Sequence, residues 1–292
     1  MTLPGPTAGQ GARQVERFVD LHSHSTASDG AVAPAAVVER ASAAGLAALA
    51  LTDHDTLAGV AEAVEAGARL GVRVVAGAEL SAHDGEREVH LLALHIEHPE
   101  VLDRELARFR DRRQDRAAEM VRLLRELGSS VTMDDVLERA GEGAVGRPHV
   151  ARAMVDAGFV RDHREAFDRY IGAGRPAYVP KDVLPVPDAI RIAHDAGGIA
   201  VFAHPGSDGT RERVERFARA GLDGLEVLHP SHGSEDMARL GALADHFGMV
   251  RSGGSDWHGA AEGPRTLGVM RVPHAWLDAQ DERVAARRRA GR

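Results

Sequence analysis

DLHSHSTASDG, residues 20–30, decides how this 292-residue chain is read. It sets His22 and His24 at alternate positions just after the apolar pair Phe18-Val19. Side chains two apart on a strand leave the same face. Both imidazoles therefore point one way, as they must to share a metal ion. Asp29 follows within the same loop. One such pair is commonplace; this one gains weight because similar groups recur along the chain.

Downstream, 34–44 is rich in Ala and Val and closes at Gly45, the pattern of a helix with a C-terminal glycine. The unbroken apolar run 46–51 suits a strand buried on both faces in a parallel sheet. It leads straight into Thr52-Asp53-His54-Asp55. A helix over 57–70 stops at Gly71, a strand over 72–78 ends in Glu79, and a strand over 88–94 carries His90. The alternation then breaks. Val101, Leu102, Leu106, Phe109, Met120, Leu124 and Leu127 form one helical stripe ending at Gly128. Thr132 to Asp135 has capping-box spacing, and 148–157 and 164–171 read as short helices. Ala177-Tyr178-Val179 is the next strand signal. The rhythm resumes with helix 188–196, strand 199–203 before His204, and helix 211–220. Strand 222–228 precedes His229, and helix 234–247 leads to strand 249–252, which runs into Gly-Gly-Ser-Asp256-Trp-His258.

Seven strands, mostly alternating with helices, imply an α/β barrel with metal-type residues at or near the carboxyl end of every strand. In such barrels those ends converge on one active face. The expected organisation is a loose tail at 1–17, a barrel formed by 18–98 and 188–280, a small helical insert or lid at 99–187, and a frayed basic tail at 281–292.

Composition narrows the chemistry. There is no cysteine, which excludes disulfides, thiolate ligands and a cysteine nucleophile and fits a cytoplasmic setting. A net charge of −8 argues against stable binding of long nucleic acid. Residues 1–17 lack the apolar core of a leader, and no apolar run is long enough to span a membrane. Nine candidate metal ligands remain: His22, His24, Asp29, His54, Glu79, His90, His204, Asp256 and His258. Imidazole and carboxylate without sulfur suit Mn, Fe, Zn or Co. At roughly four to six ligands per ion, with water counted, nine groups serve two or three ions. Three divalent ions with three carboxylates would leave a charge of about +3, a site for phosphate. Two ions also lower the pKa of a bridging water and hold it in line with phosphorus, so phosphoester hydrolysis is the first expectation.

DLHSHSTASDG, LTDHDT, GAEL, VHLLAL, FAHP and GSDWH, in that order, resemble the metal motifs of the PHP (polymerase and histidinol phosphatase) superfamily over about residues 18–272. RQDRAAEM, GRPHVARAMVDAGFV, AFDRYIGAGRPAYV and, beyond the insert, EVLHPSH are similar to its branch of small stand-alone bacterial enzymes. Members of that branch remove the 3′-phosphate from nucleoside 3′,5′-bisphosphates such as pAp, and some trim short RNA from the 5′ end. The resemblance implies a distorted (β/α)7 barrel of PHP type with a small helical insert. It also implies two or three divalent ions, Mn2+ first, with Fe2+, Zn2+ or Co2+ as alternatives. His22, His24, Glu79 and Asp256 would hold one ion; Glu79 would bridge to a second, held also by His90 and His204; Asp29, His54 and His258 would hold the third.

Around that centre, Arg113 and Arg116 lie three apart on one helix face and would clamp a second phosphate. Arg147 and His149, flanking a helix-start proline, would add phosphate contacts from the lid. A solvated arginine face and a polar helix start are the plainer alternatives. Of His229 and His232, either could protonate the leaving oxygen, or both could serve structurally. Asp53 and Asp55 are expected to support neighbouring groups, Tyr178 and Trp257 either to stack on a base or to lie in the core, and His83, His95, His98, His163, His194, His246 and His274 to be structural or superficial. The expected function is 3′-phosphate removal from a small nucleotide. The alternatives are 5′–3′ trimming of short RNA, histidinol phosphate hydrolysis, and a non-catalytic metal-stabilised module. An amidohydrolase would need a bridging lysine, and the chain's only lysine is Lys181, beside Pro180.

Overall fold

Short apolar runs bounded by glycine are too brief for helices and pair instead into one sheet. The computed structural model describes residues 17–140, 145–180 and 184–290. Lys181 and residues 1–16 of the expected tail lie outside the described residues. The strands are β1 (Phe18–Asp20), β2 (Ala48–Leu51), β3 (Arg73–His83), β4 (Glu88–Leu94), β5 (Leu184–Pro185), β6 (Ile199–Phe202), β7 (Gly224–Leu228), β8 (Val250–Gly253) and β9 (Val272–Pro273). Their order is β8-β7-β6-β4-β3-β2-β1-β9, with β5 beside β3. Past β1 the chain turns against β8, where Leu21 N donates to Gly253 O at 3.0 Å. The sheet is thereby curled into a nearly closed barrel, the α/β architecture expected, with the short β5 and β9 added to seven longer strands.

Two strands depart from the expected alternation. Gly77 to His83 of β3 pairs antiparallel with β4, so Glu79 lies inside a strand and not at its end. β4 is antiparallel to β6 as well. Its reversal brings His90, near its start, to the rim where the parallel strands finish, and Ala203 N donates to His90 O at 3.0 Å. His90 thus joins the active rim from the amino end of its strand.

Helices α1 (Pro34–Ala43) and α2 (Val60–Leu70) cover β2, with Val37, Leu49, Leu51 and Ala66 in one buried cluster. Gly71 ends α2 in the left-handed conformation (φ +71°) that glycine adopts without strain. The segment after β4 forms α3 (Pro99–Glu126), α4 (Met133–Ala140), α5 (Arg147–Asp156), α6 (His163–Ala166) and a π-turn (Phe167–Ile171). The first turns of α3 pack Leu102 and Leu106 on the barrel. Its last turns place Met120 and Leu124 in a separate core with Val136, Val150 and Ile171. Leu127, expected in the stripe, is exposed because the helix ends before it. Ala177-Tyr178-Val179 is turn and coil; the strand after this region is β5. Helices α7 (Val186–Asp195), α8 (Arg211–Arg219) and α9 (Ser234–His246) complete the outer layer.

Residues 281–290 are helix, in place of the frayed tail expected over 281–292; 291–292 lie outside the described residues. α10 (His274–Ala290) closes the mouth opposite the His-bearing rim. Leu277 and Val284 join the barrel's interior cluster, and Gln280 Nε2 donates to Arg251 O at 2.9 Å. Arg287 is tied to the buried Asp223 at 3.1 Å. Among the described residues no helix is long and apolar enough to cross a membrane.

Barrel closure rests on Asp20. Its buried carboxylate accepts from Ser255 N at 2.9 Å and Gly268 N at 2.8 Å. Burial raises its pKa, and these backbone donors oppose the shift. Asp20→Ala strands the buried Ser255 N–H and the half-buried Gly268 N–H and is expected to cost about 3 kcal/mol in urea unfolding. Asp20→Asn, which keeps one acceptor, should cost less; equal stability of Asp20→Ala and the parent would contradict this role.

Candidate metal centre

The centre is built around Glu79, a carboxylate 1% exposed in the middle of β3. Glu79 Oε2 lies 3.2 Å from His22 Nε2, 3.2 Å from His24 Nε2 and 3.3 Å from His54 Nδ1. Its Oε1 lies 2.7 Å from His90 Nδ1 and 2.9 Å from His204 Nε2. Five imidazoles from four segments thus face one carboxyl group. Their ring centroids follow one another at 5.2, 4.7, 5.3, 5.2 and 5.8 Å, a closed circuit from His22 through His24, His54, His90 and His204 back to His22. His258 stacks on His24 at 4.1 Å.

Two more carboxylates complete the set. Asp256 Oδ1 is 3.4 Å from His22 Nε2 and 3.2 Å from His24 Nε2. Asp29 reaches His258 Nε2 at 3.2 Å and His54 Nε2 at 3.7 Å. His22, His24, Glu79 and Asp256 converge as one group, His24, Asp29, His54 and His258 as another, and His54, Glu79 and His90 as a third, each with its ligand atoms within 4.8 Å of one another. His204 meets the centre through Glu79 Oε1. All nine expected residues therefore share one rim.

The chain contorts to achieve this. His204 (φ +30°), Asp256 (φ +49°) and Asp55 (φ +51°) hold left-handed backbone conformations, each a strain of about 1–3 kcal/mol. Gly254 has no alternative residue: a Cβ there would sit 2.5 Å from His22 N and Cβ. Neighbouring groups fix the loops. Asp53 accepts from Ser25 N, Ser25 Oγ and Ser28 Oγ, all at 2.7 Å, which holds the turn carrying Asp29. His258 Nδ1 donates to Asp256 O at 2.9 Å, leaving Nε2 as the basic nitrogen toward Asp29.

Electrostatics keep the carboxylates ionised. Burial would raise Glu79, but the surrounding imidazoles bring it well below the usual range. Asp29 is held at about 2 by His258, His54 and His24 against partial burial, and Asp256 is lowered by His229, His24 and His22. Burial pushes His90 down, yet Glu79 and Glu88 carry it up to about 9. His54 is lowered, burial outweighing the pull of Glu79.

The donor set fits divalent cations. An ionised carboxyl offers about four lone-pair sites, and Glu79 faces five nitrogens. His24 Nδ1 and Nε2 and His90 Nδ1 are buried without a hydrogen-bond partner among the described residues. They approach carboxylate oxygens at distances as short as 2.7 Å without donor geometry. These atoms are directed at shared points between them, the arrangement of a coordination shell.

The two histidines after β7 differ. His232 Nδ1 donates to Val227 O and its Nε2 accepts from Gly206 N, both at 3.0 Å, so neither nitrogen is left for a leaving group. That geometry removes His232 from the proton-donor role expected for it. His229 Nδ1 accepts from Ser231 N at 3.1 Å, which leaves Nε2–H directed at Asp256, 3.4 Å away. Trp257, expected either to stack on a base or to lie in the core, is 1% exposed in the core behind the site, under Arg40.

A cavity of about 740 Å3 opens beside the centre, lined on one side by Asp29, His54, His90 and Asp55. The same cavity is lined by all four expected phosphate contacts, Arg113, Arg116, Arg147 and His149, with Phe167 from the π-turn. Arg113 donates to Asp55 Oδ2 at 2.6 Å, and Arg116 uses Nε on Val179 O at 2.8 Å. Arg147 lies over Phe167 and Tyr178. His149 Nδ1 accepts from Gly146 N at 3.1 Å, a helix-start bond that occupies one ring nitrogen.

Sequence reasoning missed two residues. Glu226, fully buried in β7, accepts from His22 Nδ1 at 3.0 Å and from His204 N at 2.6 Å. The signal was a lone carboxylate inside the apolar run Leu225 to Leu228. Arg265, whose guanidinium contacts Asp256 Oδ2, lies in a loop with no spacing to mark it.

A model of the PHP domain matches residues 20–123. The chain is 40% identical over 257 residues to a 3′,5′-nucleoside bisphosphate phosphatase of Chromobacterium violaceum, covering 86% of this chain and 90% of that protein. It is 36% identical over 246 residues to a 5′-3′ exoribonuclease of Haemophilus influenzae, covering 82% and 89%. A crystal structure of a metal-dependent phosphoesterase from Bifidobacterium adolescentis superposes with a TM-score of 0.70 at 33% identity, covering 90% of this chain and 95% of that one.

A cation shell of this kind predicts metal-dependent stability. Mn2+ at about one hundred times its Kd should add ~2.7 kcal/mol per site, seen as a rise in Tm that a chelator reverses. Asp256→Asn should shrink that rise. A Tm indifferent to Mn2+ would contradict the assignment.

Proposed function

The chain belongs to the PHP family of metal-dependent phosphoesterases, and from that premise we propose that it removes the 3′-phosphate of nucleoside 3′,5′-bisphosphates such as pAp. One observation carries the substrate reading. Arg113, Arg116 and Arg147 line the cavity together, with Arg113 paired to Asp55 at 2.6 Å. Arg116 is lowered by burial and then by the charges of Arg147 and Arg113 beside it. A half-buried cluster of three arginines is stabilised by a bound anion. A monophosphate held at the rim would leave that cluster unmatched, whereas a bisphosphate serves both ends. At about 740 Å3 the cavity is the size of a small-molecule site and not of a long groove.

Two or three divalent ions, Mn2+ first, bound by the nine rim residues would polarise the phosphoryl oxygens and make water nucleophilic near neutral pH. The chain's own residues do the rest. Arg116 and Arg147 grip the second phosphate, and Asp55 orients Arg113 toward it. Phe167, with Arg147 packed over it, offers an apolar surface to the nucleoside. His229, once it takes up a second proton at Nδ1 beside Ser231 Oγ (2.7 Å), would give its Nε2 proton to the leaving oxygen and return to the neutral imidazole. The 99–187 region acts as the lid that completes the pocket. The similarity to an exoribonuclease favours a second reading, in which the same cavity takes the 5′ end of short RNA.

Turnover of pAp, histidinol phosphate and a 5′-phosphorylated RNA trimer, measured side by side, separates these readings. The expected result is a kcat/KM for pAp at least about tenfold above the others, or ~1.4 kcal/mol. A preference for the trimer would transfer the assignment to RNA. Arg116→Ala should raise KM for pAp by about 10-fold or more with kcat little changed, the loss expected of a charge-assisted contact. An unchanged KM would remove Arg116 from the site.

A further inference from the structure

Glu226 is 0% exposed, and no Lys or Arg pairs with it among the described residues. A buried carboxylate is tolerated only where donors compensate it fully. Its donors are few and specific. His22 Nδ1 donates to Oε1 at 3.0 Å, and the backbone N–H of His204 donates to Oε2 at 2.6 Å. A register shift between β7 and β8 falls immediately after Glu226, between it and Leu228, where a bulge re-aims side chains. His204 is one of the residues held at positive φ. Beyond their bonds to Glu226, His22 Nε2 and His204 Nε2 reach opposite oxygens of Glu79, at 3.2 and 2.9 Å.

We infer that Glu226 is a positioning residue: it fixes the proton of His22 on Nδ1, turns Nε2 to the metal centre as a free lone pair, and pins His204 in its left-handed conformation. One carboxylate thereby sets two ligands on the two sides of Glu79. Carboxylates behind metal-binding imidazoles act in this way, and their loss weakens metal binding by about 10–100-fold. The inference rests on the metal centre proposed above and deepens it.

Glutamine discriminates between positioning and mere packing. Two donors face residue 226, and glutamate meets them with two acceptor oxygens. Glutamine has one oxygen and one NH2. If its oxygen stays with the fixed His204 N–H, its NH2 faces His22 Nδ1, which must then become the acceptor. The His22 proton moves to Nε2, the nitrogen that should bind metal.

The test has two measurements. Burial lowers the His22 pKa, but Glu226 and Glu79 raise it well above the ordinary value. Long-range 15N–1H NMR of metal-free, 15N-histidine-labelled protein is therefore recorded at a pH where His22 is neutral. With His22 assigned by its loss in His22→Gln, it should show Nδ1–H in the parent and Nε2–H in Glu226→Gln. Titration with Mn2+ alone should show at least about tenfold weaker binding for Glu226→Gln. An Nε2–H tautomer for His22 in the parent overturns the inference, and so does Glu226→Gln binding Mn2+ within threefold of the parent. If Glu226→Gln does not fold, the parent's tautomer decides. Failure of the parent itself to bind Mn2+ would sink the metal centre, while the tautomer would still judge the role of Glu226.

Discussion

Five imidazoles around one buried carboxylate is an arrangement that protein groups alone satisfy poorly. If every ring were protonated, five positive charges would crowd together with centroids about 5 Å apart. If every ring were neutral, lone pairs would face lone pairs. Cations placed between the nitrogens and Glu79 relieve both conflicts, and much of the surrounding architecture is understandable as the means of holding those groups together.

Several features of the fold serve that end. The reversal of β4 delivers His90 to a rim that an all-parallel barrel would not let it reach from its position in the strand. Left-handed residues at His204 and Asp256 turn the chain sharply just where strands end, and Gly254 gives way to the His22 backbone. Asp20 and Asp53, both buried, tie the loops down through backbone N–H groups and hydroxyls. Strain of this kind persists only where surrounding packing over-determines it. Here the interior cluster of Val19, Leu21, Leu92, Val201 and Val250 lies directly beneath the rim.

Much of this was legible in the sequence. The alternation of short apolar runs with Ala-rich helices gives the barrel, and the motif series beginning at His22 gives all nine rim residues, because imidazoles and carboxylates recur in or beside the short apolar runs. Pairing direction was not legible: nothing local in Glu88 to Leu94 distinguishes an antiparallel strand from a parallel one, so Glu79 was placed at a strand end. The apolar stripe also ran on to Leu127, although the helix stops before it. The arginines after Glu282 suggested a loose tail, yet Asp223 and Glu97, distant in sequence, hold them as helix. His229 and His232 looked equivalent until backbone partners separated them. Glu226 was hidden because a charged residue in an apolar strand has meaning only once its neighbours across the barrel are known.

The central claim is that the nitrogens around Glu79 are gathered for metal ions. Anomalous diffraction at the Mn absorption edge from crystals grown with Mn2+ tests it most directly. The account predicts strong peaks on both sides of the Glu79 carboxylate, within about 2.0–2.3 Å of its oxygens and of the surrounding imidazole nitrogens. A map with no anomalous peak in contact with Glu79 would contradict it.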